Sequence, residues 1–175
     1  MAFSAADAEQ WIPRLRRYAI ALTGNREAAD DLIQDTLERA WRKRALWQPG
    51  SDLRAWLFTV MHNVHVNGVR SIRPVESLDA NEQIADRASV TPSVASAESG
   101  VVLSELRAAL AKLSDEHRQV ILLVGLEQMS YADAASVLDV PIGTVMSRLA
   151  RGREQLRRLL AREAEAVSNG LRRVK

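Results

Sequence analysis

Apolar residues recur at intervals of three, four and seven along most of the chain, the period of helices with one buried face. The pattern is sharpest between Gly125 and Arg158, GLEQMSYADAASVLDVPIGTVMSRLARGREQLRR. Ser130 is suited to cap a helix, and Asp133 three residues on makes a variant of the capping box. Tyr131, Ala134, Ala135 and Leu138 then fall on one apolar face. Asp139-Val140-Pro141 interrupts the run. Proline cannot continue a helix but fits the first turn of a new one, so a second helix is predicted to restart at Pro141. Ile142, Val145, Leu149, Leu156 and Leu160 form its stripe. The stretch reads as helix, tight turn, helix.

The same reading organises the rest. Ser4 with Asp7 can cap a first helix with the stripe Trp11, Leu15, Tyr18, Ala19 and Leu22, closed by Thr23-Gly24. Asn25 caps a second, running to about Trp47, whose apolar face is Ala29, Leu32, Ile33, Thr36, Leu37, Ala40 and Trp41. Gln48-Pro49-Gly50-Ser51 is a turn by composition. Asp52 caps a third helix from Leu53 to about Ser71, with Leu53, Trp56, Leu57, Val60, Met61 and Val64 inward. These make a first domain over residues 1–73. Residues 74–100 lose the periodicity, gain Ser, Ala, Asp and Glu, and read as a linker. A second domain over 101–165 opens with Val102, Leu103, Leu106, Leu110 and Leu113. Ser114 caps its next helix, which buries Val120, Ile121, Leu123 and Val124, and the helix pair follows; residues 166–175 form a tail. The expected fold class is all-α: two small helical domains on a flexible linker, the second a four-helix domain with a helix-turn-helix.

Charge sharpens this picture. The polar face of the last helix carries Thr144, Ser147, Arg148, Arg151, Arg153, Arg157, Arg158 and Arg162. Between Ile142 and Arg162 six arginines stand against Glu154 alone, a net charge of +5. The DNA major groove admits one helix, its phosphates attract arginine, and its base edges can be read by Arg, Ser and Thr. A solvated basic face is the plainer reading, but the preceding capped helix and the proline restart favour DNA. By segment the net charge is +3 over 1–73, −4 over 74–100 and +3 over 101–175, as in two nucleic-acid-facing modules on an acidic tether. Asp31, Gln34, Asp35 and Glu38 line one face of the second helix, either as solvated surface or as a dock for a basic partner helix. Asn63, Asn67 and Arg70 share a face of the third, where both residue types can bond bases or phosphates.

Several classes are disfavoured. The chain of 175 residues has no cysteine, so neither a disulfide framework nor a thiolate zinc site is possible. His62 and His65 are three apart, but no carboxylate or cysteine completes a metal site. No nucleophile–base pair appears, and glycines 50, 68, 143 and 152 lack phosphate-loop spacing, so no catalytic residue, metal or cofactor is expected. MAFSAADAEQW has no basic, then apolar, leader pattern, and no apolar run is long enough for a bilayer; a cytoplasmic protein without membrane insertion is expected.

Three segments carry a resemblance to the extracytoplasmic-function (ECF) group of bacterial sigma factors. EAADDLIQDTLERAWRK is similar to that family's polymerase-binding segment, and SDLRAWLFTVMHNVHVNGVR to its promoter-melting helix. LSDEHRQVILLVGLEQMSYADAASVLDVPIGTVMSRLARGREQLR resembles its second domain. The resemblance spans about residues 10–162, with the motifs in order. It implies a dissociable subunit of RNA polymerase, whose core enzyme it meets through the β′ coiled coil and the β flap. It implies that Asp31, Gln34 and Asp35 bind the coiled coil. The turn Gln48 to Leu53, with Ser51, Asp52 and Leu53, would form the pocket for a flipped −10 base that Asn63 helps capture. Asn67 and Arg70 would lie along the adjacent DNA. Met146, Ser147, Ala150 and Arg151 would read the −35 element, while Arg148, Arg153 and Thr144 hold phosphates. Met146 and Ala150 depart from relatives that are often polar or aromatic there, which suggests apolar readout of thymine methyls. The row of aromatics that housekeeping sigma factors use in melting is absent, so dependence on a strict promoter is expected. The family is commonly held silent by an anti-sigma factor, an implied further partner. Two other readings stay open: a stand-alone helix-turn-helix regulator, and a sigma-mimic that titrates an anti-sigma factor.

Overall fold

A computed structural model describes residues 3–72 and 97–172, with the linker stretch 73–96 outside the described residues. All regular structure among the described residues is helical, as the periodicity predicts. The first unit holds α1 (Ala5–Glu9), α2 (Ile12–Thr23), α3 (Arg26–Arg42) and α4 (Leu53–Ile72). The second holds α5 (Ala97–Ala111), α6 (Asp115–Ile121), α7 (Tyr131–Leu138) and α8 (Ile142–Arg172).

The single helix predicted at the start is two. Ser4 and Asp7 do form a capping box on α1, but the helix breaks before Ile12. Pro13 has no N–H to give to the carbonyl four residues back and its ring crowds that carbonyl, so the chain restarts with proline in the first turn of α2. Gly24, at φ 68°, closes α2 in the left-handed conformation that glycine takes at no steric cost. Asn25 caps α3 by accepting from the amides of Glu27 and Ala28. That helix stops at Arg42 rather than Trp47, and a short 3₁₀ turn, Arg44–Leu46, leads on. Asp52 caps α4 through the amides of Arg54 (2.8 Å) and Ala55 (3.3 Å).

Leu15, Tyr18, Leu22, Leu57, Phe58 and Met61 fill the first core, with Tyr18 and Phe58 edge to face at 5.2 Å. Phe3, unpredicted, is buried against Trp47 and Trp56. Thr36 sits fully buried among apolar neighbours because its hydroxyl donates to the Leu32 carbonyl at 2.6 Å.

In the second unit α5 begins at Ala97, four residues inside the stretch read as linker, and α8 runs to Arg172, into the stretch 166–175 read as a tail. Val120, Leu123, Val137, Val145 and Leu149 are its buried centre. A π turn, Leu122–Leu126, extends α6. Ser130 accepts from the Asp133 amide at 3.0 Å to start α7, and Asp139, at φ 52°, makes the tight turn into α8. The two units are in direct contact: α4 lies on α7, and α2 touches α5, α6 and the π turn.

Candidate nucleic-acid interface

The α8 stripe of Val145 and Leu149 is buried, which turns the opposite face to solvent. That outward face carries Met146, Ser147, Ala150, Arg151 and Arg153, all exposed. Met146 is 52% accessible and puts apolar surface on this otherwise largely polar face. Thr144 sits at the margin of this face, half-buried, and its carbonyl accepts from the Ser147 hydroxyl at 3.0 Å. Arg148 also stands at the margin, where it turns toward α6 and pairs with Glu116 at 3.0 Å. Glu154 engages Arg158 at 3.0 Å and Arg157 at 3.6 Å, so part of the positive charge on this face is already balanced. No ion pair holds Arg151 or Arg153 among the described residues.

The second predicted site is more spread out. Ser51 and Asp52 are exposed, and both are tied into local structure: Ser51 Oγ donates to the Gln48 carbonyl at 2.7 Å, and Asp52 caps α4. Leu53 is half-buried at the helix start. Asn63 and Asn67 are exposed one turn apart on α4, while the side chain of Arg70 lies outside the described residues. Leu53 and Asn63 are ten residues apart on one helix, about 15 Å along its axis at 1.5 Å per residue. The turn and Asn63 thus stand at different heights along α4. Asp31, Gln34 and Asp35 are exposed together on α3, with Glu38 continuing the stripe. Near its end Asp35, Glu38, Arg39, Arg42, Lys43 and Val64 line a shallow depression.

Sequence reasoning did not single out Glu127. This residue lies in the turn after α6 and is fully buried, yet it is a carboxylate. Arg17 of α2 donates to its Oε1 at 2.8 Å and to the Leu126 carbonyl at 3.3 Å. Arg14 of α2 and Arg54 of α4 each stand 3.9 Å from Oε2, which accepts no hydrogen bond, and Arg54 also reaches the Glu127 carbonyl. The signal was present as a lone acid inside the apolar run Ile121 to Met129.

Two more polar clusters cross between the units. On α4, His62 Nδ1 lies 2.6 Å from Gln119 Oε1 and His65 Nε2 lies 2.9 Å from Asp115 Oδ1. Gln119 Nε2 donates to Asp115 Oδ2 at 2.5 Å, which joins the four side chains into one network. Burial pushes the His62 imidazole below its ordinary range, more than the Gln119 contact raises it. Burial would raise the Asp115 carboxyl, but the bond and charge of His65, with help from Gln119 and Arg118, hold it below the usual carboxylate range. Arg118 donates to the carbonyls of Leu110, Ala111 and Leu113 at the end of α5, and to Leu22 at the end of α2 at 2.8 Å. One guanidinium thus satisfies the orphan carbonyls of two helix ends from both units.

Among the described residues no cluster of His, Asp or Glu could hold a metal ion, and no helix is long and apolar enough to cross a membrane.

Residues 9–62 match the family described as the Sigma2 domain of PhyR, and residues 103–156 match Sigma-70, region 4. The chain is 40% identical over 149 residues to the ECF RNA polymerase sigma factor EcfG of Rhodopseudomonas palustris (strain TIE-1), which covers 85% of this chain and 80% of that protein. It is 38% identical over 136 residues to the ECF RNA polymerase sigma factor SigL of Mycobacterium tuberculosis, covering 77% of this chain and 76% of the relative. Its fold is similar to the sigma factor RpoE of Bartonella quintana, solved with the anti-sigma factor NepR. There the TM-score is 0.68 at 32% identity, over 89% of this chain and 95% of the other.

Proposed function

The chain belongs to the extracytoplasmic-function (ECF) group of RNA polymerase sigma factors, and we propose that it recruits core enzyme through α3, engages the −10 element along α4 and reads the −35 element with α8. The observation that carries this reading is the outward face of α8. Its apolar stripe is buried, while Met146, Ser147, Ala150, Arg151 and Arg153 stand in solvent on one side of a helix restarted by a tight turn. Arg151 and Arg153 supply charge to phosphates. Met146 and Ala150 present apolar surface to thymine methyls, and Ser147 can bond a base edge once it releases the Thr144 carbonyl.

At the other element, opening and flipping a base costs a few kcal/mol. Asn63 and Asn67 offer donors and acceptors to an unstacked base, and the turn at 48–53 contacts the strand further along. The side chains that meet DNA hold and orient it; the chemistry belongs to the polymerase, and the protein itself is not an enzyme. Its place of action is the cytoplasm, where chromosome and polymerase meet. We infer in addition that an anti-sigma factor holds it silent, since a similar sigma factor is known bound to one.

The acidic stripe supplies the test. Asp31 and Asp35 are exposed and make no contact that the fold requires. The double reversal Asp31→Arg/Asp35→Arg is expected to weaken binding to core RNA polymerase more than about tenfold, since like charges at a complementary interface cost several kcal/mol. Thermal stability should be unchanged. Unaltered affinity for core enzyme would remove α3 from the docking surface.

A further inference from the structure

We propose that Glu116 of α6 sets how tightly α8 holds DNA: it keeps the Arg148 guanidinium as an internal partner, and a phosphate of the −35 duplex must displace it. Glu116 is thus a positioning residue that acts through Arg148 and touches no DNA itself. The inference rests on the assignment of α8 to the −35 element.

The contact is a product of packing. Arg148 and Gly152 stand four positions apart on α8 and so share the face turned toward α6. With no side chain at Gly152, α6 comes so close that an added Cβ would lie 3.2 Å from His117 Cβ. Glu116 is the chain neighbour of His117, and this approach brings its Oε1 to 3.0 Å from Arg148 Nη2. The carboxylate suits that place for a second reason: it lies in the first turn of α6, where the helix dipole favours negative charge.

On the DNA side Arg148 has the neighbours a phosphate contact needs. Ser147 and Arg151 are exposed beside it, and Arg151, three positions on, is adjacent on the helix surface. A backbone that meets Arg151 therefore passes within reach of Arg148. The two arginines differ in one respect: Arg151 has no ion pair among the described residues, whereas Arg148 is committed to Glu116. That commitment is reversible. The Arg148 side chain is 24% accessible and that of Glu116 65%, so water competes with the pair, and a pair this open shifts an equilibrium by no more than about fivefold. A phosphate offers the same guanidinium a charge-assisted, bidentate contact. Exchange of carboxylate for phosphate lowers the affinity for DNA without forbidding the contact.

The test uses the full chain bound to core RNA polymerase. Its probe is a labelled duplex cut from the −35 region of a promoter that the protein selects in run-off transcription, and binding is read by fluorescence anisotropy. Glu116→Gln keeps the shape of an exposed side chain and removes its charge. Binding should tighten about two- to fivefold, uniformly over a panel of substituted sites, because phosphate contacts carry no sequence information. The slope of log affinity against log salt should steepen by up to about 1. Arg148→Met keeps an apolar stem and should weaken binding. In that background Glu116→Gln should leave affinity unchanged, since there is no guanidinium to release. Equal tightening with and without Arg148 overturns the proposal, because Glu116 is then only a background charge. Unchanged or weaker binding by Glu116→Gln overturns it too, as does a gain confined to particular bases. Failure of the −35 reading looks different: if Arg148→Met and Arg151→Ala both leave affinity unaltered, α8 is not the reading helix, and the proposal falls with that assignment.

Discussion

Gly152 sits in the middle of α8, buried, where a helix would ordinarily prefer alanine by about 1 kcal/mol. Whether Gly152→Ala stabilises or destabilises depends on what its new methyl meets. A Cβ built there lies 2.9 Å from Ile121 Cδ1 and 3.2 Å from His117 Cβ, both on α6. The first contact can yield, because Cδ1 is the end of a flexible side chain. The second cannot, since a Cβ is fixed to its backbone, so α6 and α8 must separate by a few tenths of an ångström. Overpacking of this kind costs about 1–3 kcal/mol, which exceeds the helix gain. The net expectation is a loss of up to about 2 kcal/mol, or a fall in Tm of about 2–4 °C per kcal/mol for a chain of this size. Gly152→Val should lose more, having two further methyl groups and a poorer helix propensity. A double-mutant cycle apportions the cost. Ile121→Val deletes Cδ1, so Ile121→Val/Gly152→Ala should lose less than the two single changes added together. Urea unfolding of the four proteins measures this. If Gly152→Ala raises stability by the full helix increment, the close approach of α6 to α8 is wrong.

Other outcomes follow from the same geometry. Arg151→Ala should weaken binding of −35 duplex, with the slope of log affinity against log salt falling by about 1 and stability unchanged. Met146→Ala should alter preference at a thymine position more than overall affinity, seen by binding to a panel of substituted sites. Leu57→Ala, at a side chain with no solvent exposure, should cost about 2–5 kcal/mol in urea unfolding. The protein should lose stability on acidification. His62 is held below its ordinary value of 6.5, so the unfolded chain binds the extra proton first and stability falls as pH drops below that value. Asp115, held below 3.8, contributes stability that is present above that value and is lost as pH falls through its lowered pKa. Thermal unfolding between pH 7.5 and 5.5 should therefore show a decline that His62→Gln flattens.

Much of the fold was legible because its determinants are local. Gly24 and Asn25 announce a helix end and a helix start, and each makes the conformation or hydrogen bonds its chemistry favours. Thr36 was placed on an apolar face and is buried there, its hydroxyl satisfied within its own helix. The apolar stripe from Trp11 to Leu22 continues across Pro13, and periodicity alone does not register a missing N–H. Phe3 gives no such signal, because a lone aromatic outside a periodic run has no period. For the sites, exposure of the α3 stripe and of most of the α8 face accords with their polar patterns, whereas Arg148 is drawn to Glu116 by a packing between α6 and α8 that no spacing reveals. Glu127 is the instructive case: its three arginines lie 73 to 113 positions away in sequence, so only the tertiary fold brings them together.

Run-off transcription of fragmented genomic DNA by core RNA polymerase, with and without this protein, tests the central claim most directly. The account requires new, discrete start sites that appear only with the protein and share sequences near −35 and −10. Absence of new starts, together with tight binding of duplex DNA by the protein alone, would contradict it and leave an ordinary helix-turn-helix regulator.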